Sequence, residues 1–167
     1  MTYLFGDRRS RERNLARFAK AAVLAAVVIL GSFLASREAW ANAAMVAAAQ
    51  TAEGGIGACG NNSGKALYDC VANVLDKLSS DISNINVPAT RGALQTAASK
   101  LRTAVNKAQA LSAIAQCRAL ISGALAKVRA LGGGYVEGWG GGSGSGAGLA
   151  AIAGVLGHAA KLIQAKG

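Results

Sequence analysis

The chain has 167 residues, a formal charge of +10 and 52% hydrophobic residues, with three cysteines and a single histidine. One histidine and a few scattered carboxylates cannot supply a Ser/His/Asp, Cys/His or paired-carboxylate arrangement, and no Gly-x-Ser-x-Gly or phosphate loop occurs, so an enzyme is not expected. A metal centre or cofactor is not expected either: there is no Cys-x-x-Cys, and His158 stands 41 residues beyond the last cysteine.

Residues 1–41 read as a signal peptide. A cationic run from Arg8 to Lys20 precedes an apolar block, Ala21 to Ala35, and a short polar piece leads to Ala39-Trp40-Ala41. That order suits a charged end held in the cytosol, an apolar helix in lipid and small residues at a peptidase site, with Ala39 and Ala41 marking the cut. The rival is an uncleaved inner-membrane anchor, but the block offers fifteen residues where a spanning helix needs roughly 20. In both cases the Arg-rich flank stays inside and the remainder is exported to the periplasm or beyond. The exported part carries eleven Lys and Arg against Glu53, Asp69, Asp76, Asp81 and Glu137, a net +6.

The three Phe all lie within residues 1–41, so the exported domain must build its core from aliphatic residues and alanine. That composition favours helix packed on helix, and a core so thin calls for a staple. The fold class expected is all-α: a small helical bundle of three helices, or four if the last helix docks. In an oxidising compartment, Cys59, Cys70 and Cys117 should give one disulfide and one leftover thiol.

Residues 42–61, rich in Ala and Gly, read as a flexible leader in which Gly54-Gly55 and Gly57 would end any helix. The bundle domain is assigned to 62–131. Its first helix should start at Asn62 or Ser63 and bury Leu67, Val71, Val74, Leu78 and Ile82, with Cys70 beside that stripe. Ser83 to Val87 form a turn, and Pro88 starts the next helix. From Ala89 to Leu131 the helical pattern is almost continuous: Leu94, Ala98, Leu101, Val105 and Ala108 make one stripe, and Leu111, Ile114, Cys117, Ile121, Leu125, Val128 and Leu131 another. A chain reversal near Ala108–Ser112 would bring Cys117 level with Cys70, so a Cys70–Cys117 bond is expected; a single straight helix would hold the two roughly 20 Å apart.

Charge along these helices is lopsided. No acid lies between Ile82 and Val136, while Arg91, Lys100, Arg102 and Lys107 form a candidate basic surface. An exported basic protein fits an anionic partner, but nucleic acid is disfavoured because Tyr68 is the only aromatic within the helices and stacking platforms are missing.

Glycine dominates 132–147, which reads as a linker carrying Tyr135 and Trp139. The closing stretch, 148–167, has Leu149, Ile152, Leu156 and Ile163 on one side and His158 and Lys161 on another. It resembles short cationic amphipathic peptides that lie on membranes, which makes these six residues candidate contacts for an anionic bilayer or a partner. The functional expectation is an exported, non-enzymatic envelope protein that binds another protein or joins an assembly. The alternative is a membrane-active protein working through this last helix.

Overall fold

The computed structural model describes residues 41–132, Trp139 and residues 145–167. The expected signal peptide, apart from Ala41, and most of the glycine-rich linker lie outside them. Among the described residues the chain is all-helical, with five α-helices and no strand. They are α1 (41–58), α2 (Gly64–Asp81), α3 (Pro88–Thr103), α4 (Lys107–Ala130) and α5 (Ser145–Lys166), with a 3-10 turn at Cys59–Asn61 after α1.

Residues 42–61 are not a flexible leader. They form α1 and the 3-10 turn, and Met45, Ala49, Ala52, Ile56 and Cys59 are buried at three-to-four-residue spacing. Interior glycine costs about 1 kcal/mol of helix relative to alanine, which is why the sequence reads as a broken helix there. Packing overrides that cost at Gly55. A Cβ at this position would lie 3.0 Å from Val74 Cγ2, so the missing side chain is what lets α1 close on α2. The folded unit therefore includes α1 and α5 as well as residues 62–131.

The disulfide joins Cys59 to Cys70, eleven residues apart, rather than Cys70 to Cys117. It clasps the end of α1 to the second turn of α2, and Cys117 remains a free, buried thiol. The expected pairing fails because a nearer cysteine sits on an adjacent antiparallel helix. The reversal it was used to argue for is nevertheless present, between Ala104 and Asn106. Asn106 caps α4 by accepting a hydrogen bond from the Gln109 backbone N–H at 2.9 Å, a contact worth about 1 kcal/mol. Because the break falls before Lys107, Val105 is 81% exposed and Ala108 is also on the surface, so neither belongs to the core stripe.

Other expected boundaries hold closely. Ser63 is the N-cap of α2 and Pro88 opens α3. The α2 face buries Leu67, Val71, Leu75, Leu78 and Ile82, with Val74 only partly covered where it meets Gly55. Gly132 ends α4 with φ of +60°, a left-handed conformation that only glycine adopts cheaply.

Consecutive helices run antiparallel, and cross-helix contacts show the pairing. Arg102 of α3 reaches Asp76 and Asn73 of α2, Lys100 of α3 reaches Gln116 of α4, and Lys107 at the start of α4 reaches the Gln164 carbonyl at the end of α5. With five alternating helices, the first and last point the same way. If they touch, they must do so in parallel, and they do. Asn42 Oδ1 accepts from the Gly148 N–H at 2.9 Å, Glu53 pairs with His158 at 2.7 Å, and Lys166 donates to the Gly60 carbonyl. The α1–α5 seam thus closes the bundle. Gly148 marks its tightest point, where an added Cβ would sit 2.7 Å from Met45 Cε and 2.8 Å from Met45 Cβ.

The C-terminal helix docks on the bundle. Leu149, Ile152, Leu156 and Ile163 are each 0% exposed, so in the folded protein they are core residues and not membrane contacts. An apolar stripe at helical spacing faces a protein core or a lipid surface equally well, and the seam with α1 decides which. The helix also starts earlier than expected, at Ser145.

Candidate binding surface

The face built by α3 and α4 contains a concave feature. Alanine and glycine dominate the side of α3 turned to α4, through Ala89, Gly92, Ala93 and Ala97, so the two helices leave a shallow groove of about 190 Å³ between them. Cys117, Ala113 and Leu120 of α4 line its other wall, and Lys100 and Gln116 contribute its polar atoms. Trp139 enters from the segment after α4 and packs against this groove, partly buried.

The thiol of Cys117 is 3% exposed, and burial pushes its pKa up from 9.0 to about 11. Near neutral pH it is a protonated, small apolar side chain and not a nucleophile. Because the folded state favours the neutral thiol, its contribution to stability is complete below pH 9.0 and is lost as pH rises through about 11. No group of three or more His, Cys, Asp or Glu able to hold a metal occurs among the described residues.

Electrostatics set this surface apart. Each described carboxylate already has a partner: Glu53 is within hydrogen-bond distance of His158, and Asp69 pairs with Lys65, Asp76 with Arg102 and Asp81 with Lys77. Of the eleven described Lys and Arg, eight have no carboxylate partner among the described residues. Four of the eight, Lys107, Arg118, Lys127 and Arg129, are on α4.

The four residues expected to form one basic surface do not converge. Arg102 turns to Asp76 of α2 at 2.5 Å, Lys100 to Gln116 of α4 at 2.5 Å, and Lys107 to the Gln164 carbonyl of α5 at 3.1 Å. Arg91 is partly buried, with its Nε enclosed and unpartnered. Much of this charge serves to tie helices together, including the favourable placing of Lys107 and Lys166 at helix and turn C-termini. His158 is half exposed at the α1–α5 seam, and Lys161 is exposed on α5. The sequence reasoning missed the outer side of α4. Its signal is the seven- and four-residue spacing of Leu120, Lys127 and Leu131, which puts two leucines and a lysine on one face.

No protein-family model, curated protein or solved structure matches the chain.

Proposed function

We propose that the protein is exported and acts in the envelope as a non-enzymatic binding or assembly component, offering its α3–α4 side to an anionic partner. The observation that carries this reading is the charge inventory: all described carboxylates are paired within the fold, while eight bases have no carboxylate partner among the described residues. Such a surface attracts anions at long range and gains little from more cations. The disulfide supports an oxidising compartment.

The alternative use of α5 as a membrane-seeking helix would require it to leave the core, exposing Leu149, Ile152, Leu156 and Ile163. The docked reading of α5 is therefore preferred.

Export is tested by intact mass of the protein recovered from the envelope. Cleavage after Ala41 gives a chain starting at Asn42, carrying one disulfide and one thiol. A cytosolic protein that retains Met1 would contradict the reading.

A further inference from the structure

We infer that the edge α4 shares with α5 is a docking track for a linear acidic glycan. The inference rests on the envelope reading above and narrows it, naming the class of anion and the side of α4 that meets it. Lys107, Arg118 and Arg129 follow one another at intervals of eleven residues. Eleven residues make about three full helical turns, so the three bases fall on one line along α4, about 16 Å apart. That line faces α5. Lys107 donates to the Gln164 carbonyl at 3.1 Å, and Arg118 Cζ lies 3.9 Å from where a Cβ on Gly157 would be. Helix α5 adds Lys161, which lies between Gly157 and Gln164 and so fills the interval between the levels of Arg118 and Lys107.

All four bases are exposed, and none has a carboxylate partner among the described residues. Lys107 keeps two donors after its contact with Gln164. Neither α4 nor α5 contains an acidic residue, and Glu53, which meets α5 from α1, is engaged by His158 at 2.7 Å. Beside the bases the surface is made of small residues, Ala115 and Ser122 on α4 and Gly154 and Gly157 on α5, so a chain molecule can lie along the row.

Other occupants fit less well. A bilayer favours large apolar side chains beside the cations, but the exposed Leu120 and Leu131 lie just over half a turn round α4 from Arg118 and Arg129, on its α3 edge. Single-stranded nucleic acid gains from stacking on aromatic rings, and α4 and α5 contain none. A protein partner needs a pocket for its anchoring side chains, which alanine, serine and glycine do not build. A second copy of the chain would set base against base. A polymer that repeats its charge along the backbone needs only the row of bases, and its hydroxyls can meet Ser122 and Gln164, both exposed.

The test is fluorescence anisotropy of labelled polygalacturonate titrated with the folded, oxidised protein. Binding should saturate at low salt, weaken as salt rises, and resist competition by monomeric galacturonate at the same total carboxylate. Lys161→Glu should weaken it several-fold, and Arg118→Glu combined with Lys161→Glu roughly ten-fold or more. Lys127→Glu makes the same change in net charge as Lys161→Glu but sits half a turn round α4 from Arg118, and should leave binding within about two-fold. Circular dichroism melts of each variant confirm that the fold persists. Equal loss in Lys127→Glu and Lys161→Glu would overturn the track. So would a monomer that competes as well as the polymer, or tighter binding to phosphatidylglycerol vesicles than to the polymer. Recovery in the cytosol with Met1 retained would instead overturn the envelope reading, whatever the polymer shows.

Discussion

Replacing Cys59 and Cys70 together by alanine is expected to lower the free energy of unfolding by about 3 kcal/mol. The loop closed by the bond is short, eleven residues in separation, so the chain-entropy contribution sits at the modest end of the range for disulfides. It matters more here than the number suggests. The clasp holds α1, whose interior carries Gly54, Gly55 and Gly57 and so has low intrinsic helix stability. Loss of the bond should free α1 first, and amide exchange in 41–58 should become faster than in α2. Cys117→Ala, by contrast, removes one buried sulfur and should cost about 1 kcal/mol. Urea unfolding of the two variants beside the unmodified protein provides the comparison. A cost for Cys117→Ala equal to that of the Cys59/Cys70 double replacement would contradict the pairing.

Gly148→Val is expected to be the most damaging single change on the α1–α5 seam, at about 3 kcal/mol. A side chain there meets Met45 at both Cε, 2.7 Å, and Cβ, 2.8 Å. The methyl end of methionine can swing away, but its Cβ is fixed to the α1 backbone, so the helices must separate. They would then lose the Asn42 to Gly148 hydrogen bond and the burial of Leu149 and Ile152. Gly154, one and two-thirds turns further along the same helix, provides the control. Its Cβ would meet only Glu53 Oε1 at 3.8 Å, so Gly154→Ala should gain up to about 1 kcal/mol from helix propensity. Thermal unfolding of the two variants should therefore shift in opposite directions. A stabilised Gly148→Ala would show that the seam is looser than described.

Periodicity carried most of the fold. The start of α2 follows from Ser63, a residue type favoured at the N-cap, and the start of α3 from Pro88, whose fixed φ suits the first helical position. The α3–α4 break was legible too, but in Asn106 as a cap and not in the cysteines. What local sequence could not give was α1. Its glycines signal interruption, and only at Gly55 does a contact, with Val74 of α2, explain the missing side chain; Gly54 and Gly57 face open space. The ambiguity of α5 has the same root. Leu149, Ile152, Leu156 and Ile163 have the spacing of an interfacial helix and of a core helix, and the parallel seam that separates these readings joins residues more than a hundred positions apart. For the binding surface, the sequence pointed to basic charge between Ile82 and Val136 but not to how it is used. Arg102 and Lys107 are committed to neighbouring helices, whereas Lys127 and Arg129 on the far part of α4 have no carboxylate partner among the described residues.

The central claim is that α1 and α5 lie side by side in parallel and close the five-helix bundle. It is tested most directly by nuclear Overhauser contacts from the Met45 methyl group in the folded, oxidised protein. The account expects a strong cross-peak to the Gly148 α-protons, given the 2.7 Å approach of Met45 Cε to the Cβ position there. A Met45 methyl group that shows cross-peaks to α1 and α2 alone, and none to α5, would contradict it.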